Sequence, residues 1–468
     1  KMTMQKEKSA RMILNTSIIE YGLHDAIKKR YFNNSKVATV SSNVKGKISD
    51  ISFTLDDVLL SGAMTQSSIL LNGSSGSGKT FLTELVSEYL FGKGNYARKN
   101  ITPDMNEQDF MDIDFGAIKE GKRLKEALLA DKVLACPAFI IDEANRAPPI
   151  IQNRLMQILE NDIDLKSKKI KAGVELENND YYQWVLLTLN IGSEYAGTSA
   201  IDRALRDRIT IDIPIDNFPP TIEDQVKMVR KDFVKGSKMS RPEGIEELIY
   251  SIYQDLDAIQ LSLEAEAFIL YLSFCSNCVH SPTFTKYGVA FSPLFCREKD
   301  CEYARNPPLN KICPFTFAPS NRVLRRIVKV AKGFYLVRQA KIAQEIAARE
   351  NIDFNSIDQD FIVGNVQQWE VSLKEVISIA PLILHSKVSM NREWVNNEYN
   401  GNSFLAAMEY IKVAANQLAN FMKSVLPVLV KRNKGESVTK KEEVTADRMI
   451  KDDFHFKGLK EYVDKYLK

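Results

Sequence analysis

No run in the 468-residue chain approaches 18 uninterrupted apolar residues, so the sequence offers no candidate for a membrane-spanning helix. An excess of one charge is also missing. Against 63 basic residues stand 60 acidic ones, a formal net charge of +3. That balance argues against a general polyelectrolyte binder and leaves room only for a local basic patch. The first residues, Lys1 to Ser9, are polar and lack the apolar stretch of a signal peptide. No internal repeat is visible. These absences lead us to expect a soluble, cytoplasmic protein without repeat architecture. Apolar residues at 44% suffice for sizeable cores, and the length suggests about two to four domains.

The strongest local signal is Gly73-Ser-Ser-Gly-Ser-Gly-Lys-Thr80, a G-x-x-x-x-G-K-T loop. It follows the apolar run Ile69-Leu70-Leu71 and precedes a helix-patterned stretch from Phe81 to Leu90. That strand–loop–helix context is the one a phosphate-binding P-loop requires. Backbone N–H groups of Gly73, Ser74, Ser75, Gly76, Ser77 and Gly78 can turn inward on phosphate oxygens, and the following helix adds its dipole. Lys79 would reach the β- and γ-phosphates of ATP, and the Thr80 hydroxyl would ligate Mg²⁺. A Gly/Ser-rich linker ending by chance in Lys-Thr is the competing reading.

From Ser68 to about Pro214, short apolar runs alternate with amphipathic helices. The runs are Ser68–Leu71, Tyr96–Ile101, Ala138–Asp142, Val185–Asn190 and Ile209–Ile213. This alternation predicts an α/β fold with a parallel five-stranded sheet covered by helices. The third run ends in Asp142-Glu143. A buried parallel strand delivers its C-terminal end to the ligand crevice. Asp142 would there support the Mg²⁺ shell, and Glu143 would polarise the attacking water.

Residues 218–274 and 320–425 are helix-patterned. A stripe of Ile18, Ile19, Leu23 and Ile27 predicts a packing helix near the N-terminus. A small segment, Val37 to Gly46, leads into a helix at Leu55–Gly62. Val430 to Glu443 reads as a linker, and Phe456 to Leu467 as a short final helix. We divide the chain into an N-terminal helical extension (1–38), a nucleotide-binding core (39–217), a helical lid (218–395) with a Cys-rich insertion at 271–317, and a C-terminal helical region (396–468).

Five of the six cysteines fall between Cys275 and Cys313. Cys275-x-x-Cys278 and Cys296-x-x-x-x-Cys301 suit a tetrahedral structural Zn²⁺ site, with Cys313 as substitute ligand. Free cysteines in an ordinary insertion are the bland alternative, and disulfides a further one. Cys136, just before the Asp142 strand, reads as a core residue.

The run Asp142-Glu-Ala-Asn-Arg-Ala-Pro-Pro149, followed by Gln152, Leu155, Met156, Leu159 and Glu160, resembles the Walker B segment of MoxR-like AAA+ ATPases. The resemblance spans roughly residues 44 to 390. It implies a sensor 1 role for Asn190, at the end of the fourth run. It implies a pre-sensor 1 hairpin within the polar stretch from Ile163, where Lys166, Lys168, Lys169 and Lys171 would form a basic edge. A solvated hairpin is the alternative there. It implies an arginine finger acting on the neighbouring subunit's ATP at Arg208, with Arg206 as its rival and with Ile209 where the family usually has Phe. Pairing of these arginines with Asp202 and Asp207 is the plainer reading. Ala318-Pro-Ser-Asn-Arg322 is similar to the sensor 2 motif, with Asn321 in place of Pro, and gives Arg322 that role. Ala380-Pro-Leu-Ile-Leu-His385 is similar to the family's lid ending, with Ser386 where Arg is usual. His385 itself reads as a packing or capping residue.

The resemblance further implies a homo-oligomeric ring, hexameric in the family. ATP would bind at its subunit interfaces, and hydrolysis would remodel a partner protein. A von Willebrand A-type adaptor is a plausible partner on the same grounds. Two alternatives stand beside this: a nucleic-acid motor like those of the McrB restriction class, and a nucleotide-gated scaffold with little turnover. Intact Asp142 and Glu143 argue against the scaffold.

Overall fold

The computed structural model describes residues 2–31, 33–113, 119–121, 128–130, 132–165, 168–191, 201–230, 241–274, 320–387, 390, 392–452 and 454–467. They fall into two units. One comprises Lys1–Gln260 with Lys332–Trp369, the other Leu261–Ala331 with Glu370–Lys468.

The first unit opens with helix α1 (Met2–Arg30). Ile19, Leu23 and Ile27 are buried as the stripe predicts, but Ile18 faces outward at 38% exposure. A hairpin comes next, β1 (Ala38–Val44) and β2 (Lys47–Phe53), where the sequence suggests no more than a small connecting segment. Its two-residue turn, Lys45-Gly46, has positive φ at both positions, the twist that tight hairpins favour. Alternate residues Val40, Val44, Ile51 and Phe53 are buried on one face. Helix α2 (Leu55–Met64) starts from a Thr54–Asp57 capping box.

The central sheet is built from β3 (Ile69–Gly73), β4 (Tyr96–Asn100), and, further on, β7 (Ala138–Asp142), β12 (Trp184–Asn190) and β13 (Ile211–Pro214). The numbers between belong to short antiparallel pairs: β5 (Met111–Ile113) with β6 (Leu128–Ala130), β8 (Ile163–Leu165) with β9 (Lys168–Ile170), and β10 (Val174–Glu175) with β11 (Tyr181–Tyr182). Spatial order in the sheet is β13-β3-β12-β7-β4, all parallel. Each predicted run supplies one strand. The fully buried β3 and β7 read as unbroken apolar runs because helices cover both faces of such a sheet. Helices α3 (Lys79–Phe91), α4 (Pro149–Leu159), α5 (Arg203–Arg208), α6 (Ile222–Arg230) and α7 (Ile245–Asp255) complete this part.

Helix α1 is fixed by a buried ionic cluster. On it, Glu20 and His24 face Asp56 and Asp57 of α2. They also face Lys341, which lies in α9 (Asn321–Arg349) among the residues the first unit takes from beyond position 331. His24 Nδ1 lies 2.9 Å from Asp56 Oδ2. Lys341 Nζ donates to Asp57 Oδ2 at 2.7 Å and stands 3.4 Å from Glu20 Oε1. Gln344 donates to Glu20 Oε2 at 2.6 Å. Burial works against the Lys341 charge, but Asp57 and Glu20 more than offset it and raise its pKa.

A close approach joins α1 to α3. A Cβ at Gly22 would lie 2.0 Å from Tyr89 Oη, and that hydroxyl is buried with no hydrogen-bond partner among the described residues. Gly22→Ala should therefore destabilise the protein by about 1–3 kcal/mol through overpacking. Tyr89→Phe should be neutral or stabilising, and combining the two should recover part of the loss. Denaturant midpoints of the three variants check this; an unchanged midpoint for Gly22→Ala would contradict the packing.

In the second unit, α8 (Leu263–Phe274) packs against α11 (Leu373–Leu384), α13 (Ser403–Ser424) and α16 (Phe454–Tyr466). Between α8 and α11 in the chain lie α9 and α10 (Gln359–Asn365); α12 (Arg392–Tyr399), α14 (Leu426–Asn433) and α15 (Lys440–Asp452) complete the series. The expected linker at Val430–Glu443 shrinks to residues 434–439, because α14 and α15 claim its two ends. A capping pair forms α15: Thr439 donates its N–H to Glu442 at 3.0 Å, and its hydroxyl accepts from the Glu442 N–H. His385 is a packing residue, edge-on to Phe404 at 5.6 Å. No helix among the described residues is long and apolar enough to cross a membrane.

Candidate active site

The C-terminal ends of the parallel strands meet at one edge of the sheet. Register places Asn190 of β12 beside Gly73 of β3, and Asn100 of β4 beside Asp142 of β7. Three predicted elements, the P-loop, the acid pair and the candidate sensor 1 residue, therefore become neighbours there.

The loop from Gly73 to Thr80 curls between β3 and α3. Gly78, at φ +78°, caps α3 in the left-handed region. A Cβ there would also come within 2.9 Å of the Tyr31 ring, so only glycine fits. Lys79 Nζ is drawn into the curl. It donates to the carbonyls of Gly73 at 3.0 Å and Ser74 at 2.6 Å, and to Ser77 Oγ at 3.0 Å. Burial lowers its pKa, opposed by the nearby charges of Asp216 and Asp142.

Asp142 is buried and fully engaged. Its Oδ1 accepts from Thr80 Oγ1 at 3.1 Å and from the Thr188 hydroxyl. Its Oδ2 accepts from Arg98 Nη2 at 2.6 Å, and Arg98 Nη1 donates to Glu84 at 2.9 Å. Burial disfavours the Arg98 charge, but its bonds to the two acids prevail and raise its pKa. Glu143 adopts a left-handed backbone, φ 56°, a strained conformation of the sort found at functional sites. Its N–H donates to Thr188 Oγ1 at 3.3 Å, and its carboxylate pairs with Arg146 one turn on. Asn145 Nδ2 donates to the Asn190 carbonyl at 3.1 Å.

A cavity of about 590 Å³ adjoins the loop. It is lined by Ser75 to Gly78, by Arg30, Tyr31 and Asn33 at and after the end of α1, by Phe81, and by Ile215, Asp216, Phe218, Pro219, Pro220 and Met228 after β13. The mostly apolar lining suits a flat base, while the loop offers backbone N–H groups to phosphates. Tyr31 lies 6.5 Å from Phe81, ring to ring, and burial pushes its hydroxyl up to about 12. Asp216 accepts from both the N–H and the hydroxyl of Ser74 at 2.8 Å, bracing the loop from the end of the neighbouring strand β13. The oxygen donors of Thr80 and Asp142, 3.1 Å apart, match the hard ligands that Mg²⁺ prefers.

Sequence reasoning missed Arg98, Glu84, Asp216 and the cavity residues outside the P-loop. Most lie on elements distant in the chain, where no local pattern announces the pairing.

Arg208 stands 2.9 Å from Glu160 Oε1 and donates to the Ala204 carbonyl at 3.1 Å. Its acid is therefore Glu160, where the sequence suggests Asp202 and Asp207; Asp202 instead caps α5. Arg206 is exposed. The basic stretch does form a hairpin, β8–β9, in which Asp164 faces Lys169, and Lys171 lies 3.9 Å from Asp162. Lys166 and the Lys168 side chain lie outside the described residues. Arg322 is exposed near the start of α9, within the second unit. The proposed zinc ligands Cys275, Cys278, Cys296, Cys301 and Cys313 lie outside the described residues. Cys136 is half-buried rather than a full core residue.

A P-loop, an acid pair on the third strand in sequence of a five-stranded parallel sheet, and helices beyond it define an AAA+ P-loop ATPase domain. Residues 68–209 match the family model of the AAA domain (dynein-related subfamily). In overall fold the chain is similar to a "putative ATPase" from Cytophaga hutchinsonii ATCC 33406. That match has 18% identity and a TM-score of 0.56, covering 88% of this chain and 98% of that one. Partial likenesses extend to NtrX from Brucella abortus, alone and in complex with ATP. They have 17% and 16% identity and TM-scores of 0.25 and 0.24, with 47% of each chain covered. No curated protein matches the chain.

Proposed function

We propose that this AAA+ ATPase is of the MoxR-like type. It binds ATP at the interfaces of a homo-oligomeric ring, hexameric by resemblance, and uses hydrolysis to remodel a partner protein complex. The observation that carries the reading is the convergence of Lys79, Thr80, Asp142 and Glu143 beside an apolar cavity of about 590 Å³. The subtype rests on the run Asp142–Pro149 together with Gln152, Leu155, Met156, Leu159 and Glu160.

In this reading the base enters the cavity between Tyr31, Phe81 and Phe218. The N–H groups from Ser75 to Thr80 hold the phosphates, and Lys79 leaves the loop carbonyls for phosphate oxygens. Thr80 and Asp142 would hold Mg²⁺, which neutralises charge on the phosphates when bound. Glu143 orients the attacking water and accepts its proton, once released from Arg146. Asn190 positions the water by hydrogen bonding. Arg322 keeps its proposed sensor 2 role. Arg208 acts on the neighbouring subunit's nucleotide, and its pairing with Glu160, rather than with a P-loop or acid-pair residue, agrees with that.

Mixing two dead variants tests the composite site. Arg208→Ala subunits keep Glu143, and Glu143→Gln subunits keep Arg208. Equal mixing should restore turnover at about one interface in four, as random assembly of a ring dictates. Steady-state phosphate release reads the outcome, and no recovery in any ratio would remove the trans role from Arg208.

A further inference from the structure

We propose that Arg98 is a positioning residue for the metal-binding carboxylate, a role that rests on Asp142 supporting Mg²⁺. The geometry divides the Asp142 carboxylate between two tasks. Oδ1 faces Thr80, 3.1 Å away, the other oxygen expected to serve the cation. Oδ2 is taken by Arg98 at 2.6 Å. Arg98 is itself held by Glu84, at 2.9 Å, from the helix after the P-loop. The chain Glu84–Arg98–Asp142 thus ties α3, the edge strand β4 and the catalytic strand β7 together.

Without Arg98 the Asp142 carboxylate is held only through Oδ1, by Thr80 and Thr188, and its rotation about the last bond is less restricted. Thr188 donates to the same Oδ1 and does not fix Oδ2. A charge-assisted hydrogen bond to Oδ2 selects one orientation and keeps Oδ1 toward Thr80. The guanidinium also repels a cation, but its side chain is 41% exposed, so solvent and salt screen that repulsion. Orientation is therefore the larger effect.

The test compares binding of a fluorescent ATP analogue in EDTA and in Mg²⁺. Arg98→Met should bind as wild type in EDTA, within about twofold, and lose about tenfold of the Mg²⁺-dependent gain in affinity. Glu84→Gln, which loosens Arg98 without removing it, should lose less, about threefold. Arg98→Lys should recover part of the loss. A Mg²⁺ gain equal to wild type in Arg98→Met would overturn the proposal. A larger gain would overturn it too, since Arg98 would then compete with the cation. If Arg98→Met fails to bind in EDTA, Glu84→Gln decides: a Mg²⁺ gain equal to or above wild type overturns the proposal, and a selective loss supports it. Asp142→Asn separates the two layers. If that variant keeps the full Mg²⁺ gain, the metal assignment fails; if it loses the gain and Arg98→Met does not, only the role of Arg98 fails.

Discussion

Lys79→Ala should abolish nucleotide binding, with affinity for a fluorescent ATP analogue falling at least about 100-fold. The reason lies in where the ammonium sits. It is buried in the loop, held by the Gly73 and Ser74 carbonyls and the Ser77 hydroxyl. Burial lowers its pKa, while Asp216 and Asp142 favour the charged form. A buried cation in a preorganised loop acts on phosphate oxygens at an effective dielectric below that of water. Alanine leaves the loop carbonyls facing phosphates with no charge between them. Thermal melting of the variant distinguishes lost binding from lost folding. Retained binding by a folded variant would mean that Gly73–Thr80 is not the phosphate site.

Glu143→Gln should keep nucleotide binding and lose turnover by about 10²–10⁴-fold, the range spanned by a positioned general base. Glutamine has the same shape but cannot accept the water's proton. The substitution also weakens the pairing with Arg146. Arg146→Ala is therefore a useful companion, because it frees the carboxylate without removing it. Single-turnover hydrolysis with bound ATP separates the chemical step from binding. Turnover of Glu143→Gln equal to wild type would move catalysis away from this residue and favour the nucleotide-gated scaffold.

Much of the sheet is legible in the sequence because β3, β7 and nearly all of β12 are buried on both faces. Ala138–Asp142 is an unbroken apolar run ending in an acid, and no other element type explains it at that length. The P-loop is legible for a different reason: its chemistry needs a contiguous run of residues. The hairpin Ala38–Phe53 escapes notice, since its alternation is partly written in serine and its turn is Lys-Gly rather than a strong turn pair. The cavity escapes because Tyr31, Phe81 and Phe218 come from three separate parts of the chain. Asp216 illustrates the limit. Nothing local distinguishes it from a solvated aspartate after a strand, and only the adjacency of β13 and β3 brings it to Ser74. The candidate site residues can be named one by one, but not the side chains that orient them.

Lys341 gives the order of chain synthesis a physical meaning. The ribosome releases the P-loop and the whole parallel sheet well before position 341 appears. Until then Glu20 and Asp57 are carboxylates destined for burial with no cation to meet them, a costly state for any charge in a protein interior. The nascent first unit must wait with α1 loosely docked, or with those acids hydrated or protonated. A fragment ending at Gln260 would keep the P-loop and the acid pair and lack the charge that closes this cluster. Boundaries drawn for expression by the extent of the ATPase motifs alone would cut through a single compact unit.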